Sequence, residues 1–272
     1  MAHNTQPIRN ERDRTRRVLS QTFLNDPGAL GRVVRAAAPG RGDLVLEVGA
    51  GDGRLTRRLA EAAGRVVAYE VDPAFATALA VPENVAVRHQ DFLTARPPRE
   101  PFAVVGNIPY ALTAPIVQWC LRAPALTSAT LVTQLEYARK RTGDYGRWSR
   151  LTVATWPEFH WGLYGRISRR AFRPVPRVDS GILRLSRRPA PLVPGRARAA
   201  YRSFVDLGFG GGGGSLHASL RQRYPARKVD GAFRAARLDM STVVGHVWPE
   251  QWLLLFRLLG APPGLGLAKR GG

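Results

Sequence analysis

The sequence predicts an α/β fold: an open parallel sheet with helices on both faces, joined to a small all-α C-terminal part. Three observations lead there. Short apolar runs alternate with amphipathic stretches between about residues 43 and 150, the rhythm of βα units. Glycines or a proline turn close several of these runs at their C-terminal ends. From residue 196 onward the apolar spacing turns helical.

Asp43–Val48 is an apolar run closed by glycines and suits a buried parallel strand. Arg54–Ala63 places Leu55, Leu59 and Ala62 on one helical face. Arg65–Val71 is a second strand, and Asp72-Pro73 opens the next helix. Val85–His89 and Phe102–Val105 are further strands, Ala114–Leu121 a helix and Ala129–Leu135 a fifth strand. Gly162–Ser168 and Gly181–Ser186 are strands that frame a loop beginning at Phe172. Arg188–Gly195 contains Pro189, Pro191 and Pro194 and reads as a linker. Tyr201, Phe204 and Val205 share one helix, Trp252, Leu255, Phe256 and Leu259 another, and Gly210–Gly214 is expected to form a loop between helices. The expected division is an arm (1–8), a catalytic domain (9–188), a helical RNA-binding domain (189–260) and a tail (261–272).

The 272 residues are 44% hydrophobic, enough for a core and too many for wholesale disorder. Lysine and arginine total 41 against 20 acids, a net charge of +21. Only Lys140, Lys228 and Lys269 are lysines, which leaves 38 arginines. Residues 166–228 hold 15 basic side chains against Asp179 and Asp206, a net +13. Codon bias alone would spread arginine more evenly. A polyanion that answers this charge is expected, nucleic acid first. Cys120 is alone, so no internal disulfide or cysteine metal cluster can form. The five histidines lack metal-ligand spacing, and no metal is expected. No apolar stretch approaches the ~20 residues that span a bilayer, and the first 30 residues hold no signal-like apolar core. A cytoplasmic protein without membrane association is therefore expected.

Four motifs carry chemistry. Glu47-Val48-Gly49-Ala50-Gly51-Asp52-Gly53 follows a strand and precedes a helix, where glycines let backbone approach a ligand. Its spacing differs from the dinucleotide fingerprint, and its acids disfavour a pyrophosphate at the helix start. S-adenosylmethionine, with adenine and ribose but no phosphate, suits it better. Glu70 ends the second strand, where a carboxylate can accept ribose hydroxyls. Asp91-Phe92 follows the third strand, placed for an adenine amino group and ring; on its own such an Asp is more often a turn or cap residue. Asn107-Ile108-Pro109-Tyr110 follows the fourth strand. A carboxamide oxygen and a backbone carbonyl there can accept both hydrogens of an exocyclic base amine, while Pro109 has no N–H to compete. Tyr110 offers a face for an extruded base.

Together with Gln21-Thr22-Phe23-Leu24 and Phe172–Ser180, these motifs stand in an order that resembles the ribosomal RNA adenine N6-methyltransferases. Within that family the chain is most similar to the erythromycin-resistance methylases of actinomycetes, notably over Leu135–Trp148. The similarity is strong over about residues 15–190 and weaker beyond. It implies a Rossmann-like S-adenosylmethionine-dependent methyltransferase fold acting as a monomer. It implies as substrate an adenine of 23S rRNA in the peptidyl-transferase and exit region, methylated once or twice. The product would block macrolides, lincosamides and streptogramin B. The resemblance also assigns Gln21, Thr22, Leu24, Gly49, Gly51, Glu70, Val71, Asp91, Phe92 and Asn107 to the cofactor site. It assigns Asn107, Ile108, Pro109 and Tyr110 to catalysis, with Phe172 as a second aromatic face opposite Tyr110. Where the family usually has asparagine, this chain has Thr22, and its five-glycine run replaces a basic helical stretch.

Three rival readings share parts of the pattern. A housekeeping small-subunit rRNA adenine dimethyltransferase differs only in substrate. A non-catalytic RNA-binding assembly factor would be free to lose Asn107 or the glycines, all of which are present. A DNA adenine methyltransferase would differ in acceptor. Cys120 is expected to be a buried structural thiol, and the six tryptophans to pack in the core or between domains. Arg139-Lys140-Arg141 and the N-terminal arginines are candidates to track RNA phosphates.

Overall fold

The structure, a computed structural model, describes residues 22–211 and 215–261. The expected arm 1–8, Gln21, the N-terminal arginines, Gly212–Gly214 and the tail beyond Ala261 lie outside the described residues.

Strands β2 (Leu44–Val48), β3 (Arg65–Glu70), β4 (Val85–His89), β5 (Phe102–Asn107), β6 (Leu126–Gln134), β7 (Phe159–Ile167) and β9 (Ser180–Arg187) form one seven-stranded sheet, ordered β4-β3-β2-β5-β6-β9-β7. The pairs β2/β3, β3/β4, β2/β5 and β5/β6 are parallel. From β2 the chain builds outward through β3 and β4, then returns to place β5 on the other side of β2. That reversal opens a crevice at the C-terminal ends of β2 and β5, where open α/β sheets bind ligands. A separate antiparallel pair joins β1 (Phe23–Leu24) to β8 (Phe172–Arg173).

All five β2 residues are buried, as a strand covered on both faces requires. Helix α1 (Pro27–Ala37) had no counterpart in the sequence reading. Asp26 caps it through a bond from the Ala29 N–H, Pro27 sits at its start, and Ala29, Leu30, Val33, Ala36 and Ala37 are buried. Helix α2 (Arg54–Ala62) buries Leu55, Thr56, Leu59 and Ala60; Ala62, expected on that face, is only partly covered. Helix α3 (Pro73–Ala78) starts at the Asp72 cap as the Asp-Pro step predicts. Helix α4 (Thr113–Arg122) buries Cys120 completely, and burial holds its thiol protonated far above the usual range.

By spatial proximity the described chain divides into two compact units. One comprises the stretch up to Ala138 with Leu163–Arg184, the other Arg139–Gly162 with the part from Leu185 onward. The chain thus crosses between units three times, whereas the sequence pointed to a single boundary at 188–189. Two short helices, α5 (Leu135–Thr142) and α6 (Arg150–Thr155), flank the start of the second unit. The rest of its helices are α7 (Arg198–Gly210), α8 (Leu216–Arg221), α9 (Ala226–Ala236) and α10 (Pro249–Leu259). Tyr201, Phe204 and Val205 of α7 are buried with Trp252, Leu255 and Phe256 of α10. Gly210 belongs to α7 rather than to a loop, since a glycine in the last helical turn costs little. Gly208 is required: a Cβ there would lie 2.4 Å from the Trp252 ring.

Candidate active site

A cleft partly open to solvent runs along the C-terminal ends of β2, β3 and β5. Its floor is the glycine turn. Gly49 and Gly51 adopt φ of 75° and 51°, a region that disfavours any Cβ. At Gly49 a Cβ would meet nothing within 4 Å, so the space spared belongs to the cleft. Gly51 is crossed by the Phe23 ring, 2.9 Å from where its Cβ would lie.

Glu70 is buried, and its carboxylate ties β3 to this turn. One oxygen accepts the Gly51 N–H at 2.8 Å; the other accepts those of Val71 and Asp72 at 2.8 and 2.9 Å. Three of a carboxylate's roughly four acceptor positions are thereby used. Asp91 accepts the Leu93 N–H at 2.9 Å with one oxygen. Phe92 is buried against Tyr69 and Trp119, with centroids 5.4 and 4.4 Å away, and still lines the cleft.

Glu47, in the centre of the sheet, was named in the sequence only as part of the glycine motif. It is fully buried, lines the cleft, and neither oxygen has a hydrogen-bond partner among the described residues. Burial pushes its carboxyl from 4.5 up to about 8. The Thr56 side chain partly opposes the shift, and Glu70 and Asp52 add to it. The chain is strongly basic, yet its cleft is acidic. Beside the protonated Glu47, the carboxylates of Asp52, Glu70 and Asp91 line it against Arg54 alone, and Arg54 is paired with Asp52 at 3.1 Å. Such a lining suits a cationic, phosphate-free ligand and opposes a nucleotide phosphate.

Asn107 is the last residue of β5 rather than part of the following turn. The strand runs two residues beyond its expected end because Gly106 fits against β2, where a Cβ would lie 2.8 Å from the Val48 carbonyl. The Asn107 side-chain nitrogen donates to the Thr22 carbonyl at 2.8 Å. A carbonyl can only accept, so this bond fixes which way the amide points and leaves Oδ1 for another partner. Thr22 makes the bond through its main chain, so the threonine in place of the family's asparagine leaves it intact. Ile108 is buried and lines the cleft, as does Pro109. Tyr110 is half-buried, outside the cleft lining, and its hydroxyl bonds the Ser180 Oγ at 2.8 Å. Burial raises its phenol above the usual range.

Of the expected cofactor residues, Thr22, Leu24, Gly49, Gly51, Glu70, Val71, Asp91, Phe92 and Asn107 all line this one cleft. Phe172 does not. It was expected to present a stacking face, but its ring is fully buried with Leu24, Ile167 and Ile182. Its backbone pairs with Leu24, and the Asn25 N–H donates to the Ala171 carbonyl at 2.9 Å. Phe172 therefore anchors the segment that delivers the Thr22 carbonyl to Asn107. Ser180 ends the Phe172–Ser180 motif, and no local sequence signal marks it as the partner of a tyrosine 70 positions earlier.

Residues 12–260 match the family described as Ribosomal RNA adenine dimethylase. The chain belongs to that family. With it come an S-adenosylmethionine-dependent methyltransferase fold and activity on ribosomal RNA adenine. The chain is 60% identical over 252 residues to an rRNA adenine N-6-methyltransferase of Streptomyces fradiae, covering 90% of this chain and 79% of the relative. It is 36% identical to the mycinamicin-resistance protein MyrB of Micromonospora griseorubida, covering 89% and 78%. The crystal structure of the 23S rRNA methyltransferase ErmE superposes with a TM-score of 0.85 at 51% identity, covering 88% of this chain and all of that one.

Proposed function

We propose that this chain methylates the exocyclic N6 of an adenine in 23S rRNA with S-adenosylmethionine as donor. In this reading it works as a cytoplasmic monomer, and the modified ribosome resists macrolides, lincosamides and streptogramin B. The observation that carries the reading is the Asn107 carboxamide, locked by Thr22 with its oxygen unspent, in the wall of an acidic cleft. The 23S target is supported by the similarity to ErmE, and the resistance role by the similarity to a mycinamicin-resistance protein.

The cleft fits the donor on its own chemistry. Gly49 leaves room for close approach, the acidic lining suits positive charge, and Asp91 keeps one oxygen for an amino group. Val71 and Phe92 supply apolar flanks, and Glu70 has one acceptor position left. S-adenosylmethionine, when bound there, supplies a methyl group activated by the positive charge on sulfur.

The adenine N6 lone pair is delocalised into its ring and is a poor nucleophile. Asn107 Oδ1 and the Ile108 carbonyl accept its two hydrogens, draw the nitrogen toward tetrahedral geometry and localise the pair. Pro109, lacking an N–H, leaves those acceptors without a local competitor. Tyr110, its hydroxyl held by Ser180, offers its face to the extruded base. No strong general base is required, since the amine turns acidic as it is alkylated and gives up its proton to water.

Methyl transfer from labelled S-adenosylmethionine into protein-free 23S and 16S rRNA, followed by nucleoside mass spectrometry, tests the reading. N6-methylated or dimethylated adenosine in 23S rRNA alone is expected. Label in 16S rRNA alone would move the enzyme to small-subunit modification, and label in neither would overturn the catalytic reading.

A further inference from the structure

The two most exposed of the large apolar side chains described are Tyr145, 72% exposed, and Trp248, 53% exposed. Trp248 departs from the expectation that the tryptophans pack in the core or between domains. Tyr145 lies in the stretch 135–148 that most resembles the resistance methylases, a stretch for which the active site has no use.

Its backbone is unusual. Gly143, Tyr145 and Gly146 take φ of 72°, 62° and 66°. Two are glycines, for which this is free; the third is a bulky aromatic, for which it is strained. The turn and the start of α10 are built on the same buried ring. A Cβ on Gly143 would lie 2.3 Å from the Trp148 ring, and the Trp248 ring centroid is 5.3 Å from that of Trp148. Trp148 packs edge-on against Trp156 at 5.5 Å, and its backbone N–H donates to the Gly245 carbonyl at 2.7 Å. Trp248 thus sits on a fixed base, and the turn that bears Tyr145 is fixed to the same base at Gly143.

One guanidinium lies against an exposed ring, and others lie nearby in sequence or on the buried Trp156. Arg139 lies 5.0 Å from the Tyr145 centroid, bonds its hydroxyl and pairs with Asp144. The Arg147 Nε meets His246 at 3.3 Å, and Arg188 lies 5.1 Å over Trp156. Glu250 is the acid that faces Arg188. Rigid aromatic faces set among cations are what unpaired bases and their phosphates need. A second copy of a chain carrying +21 would be repelled from the same patch.

We propose that Tyr145 and Trp248 form a stacking platform for unpaired nucleotides of the RNA substrate, remote in sequence from the adenine-binding loop. The proposal rests on the RNA substrate named above. The test uses the full-length protein with Tyr145→Ala and Trp248→Ala, and with Tyr145→Phe and Trp248→Phe as ring-preserving controls. Kd is measured for protein-free 23S rRNA and for a fully paired RNA duplex, with transfer kinetics, S-adenosylmethionine affinity and melting temperature alongside. Each alanine variant is expected to weaken 23S rRNA binding roughly tenfold. The loss appears in KM, with kcat at saturating RNA and cofactor affinity unchanged, and the phenylalanine variants bind like the parent. Tyr145→Asn, which relieves the left-handed strain, should melt higher yet bind RNA as weakly as Tyr145→Ala. Unchanged 23S rRNA affinity overturns the proposal. So does an equal loss on the duplex, or a parent chain that dimerises through this patch and loses the dimer in Trp248→Ala. Failure of the parent to transfer methyl at all would instead count against the catalytic reading.

Discussion

The cleft of the first unit and the Tyr145–Trp248 surface of the second present opposite solutions to ligand charge. The cleft is carved from glycine backbone and lined by three carboxylates and the protonated Glu47, against one arginine that is paired with Asp52. The surface exposes the Tyr145 and Trp248 rings, with Arg139 against Tyr145. A small cation and a polyanion must meet on the same enzyme, and one uniformly basic surface would disfavour the first. A net charge of +21 describes the molecule's attraction to RNA; it misdescribes the acidic cleft.

Salt is the bluntest way to break the contrast. Raising it from about 50 to about 200 mM should weaken RNA binding on the order of a thousandfold if six or more phosphates are contacted. Cofactor affinity, measured by calorimetry in the same buffers, should change less than about twofold. Equal sensitivity of the two would mean that the acidic lining does not select the cofactor. Next in size, Asn107→Ala should reduce kcat by about 10² to 10³ through loss of an acceptor aimed at the reacting amine. Cofactor Kd should stay within a few-fold; a collapse of cofactor binding would assign Asn107 to cofactor binding and the Thr22 anchor instead.

Glu47 sharpens the comparison through pH. Its folded carboxyl is pushed up to about 8 from 4.5, so the folded state holds this proton more tightly than the unfolded chain. Its stabilising contribution is therefore full below about pH 4.5 and is lost as pH rises to about 8. The melting temperature of the parent minus that of Glu47→Gln should fall across this window and level off above it. A flat difference would show that the carboxyl ionises normally. The smallest effect is expected at Ser180→Ala, which removes one hydrogen bond to the Tyr110 hydroxyl, worth about 1 kcal/mol. Turnover should drop a few-fold. Tyr110→Phe should do the same, and the double variant should lose no more than either alone.

Legibility followed the length scale of each interaction. The βα rhythm is local, so β4 was predicted to the residue and β2, β3 and α4 to within one. Helix α1 was missed because its signals, the Asp26 cap and Pro27, lie among mixed small and basic residues. The glycine turn, Glu70, Asp91 and Asn107 were readable because each closes a strand at the same edge of the sheet. Phe172 was misassigned because an aromatic in a proline-rich loop looks exposed, while pairing with Leu24 turns its ring inward.

By itself, the sequence determined the βα alternation, the flexible backbone at Gly49 and Gly51, the asparagine at the end of β5 and the surplus of arginine, since each depends on residue type and short spacing. The tertiary structure alone decided that Thr22 orients Asn107 across 85 positions and Ser180 holds Tyr110 across 70. It also decided that Glu47 is enclosed and that Trp148 packs against both Trp248 and Gly143 of the turn that bears Tyr145. Those outcomes depend on which distant segments the sheet order brings together, and no short-range pattern encodes that.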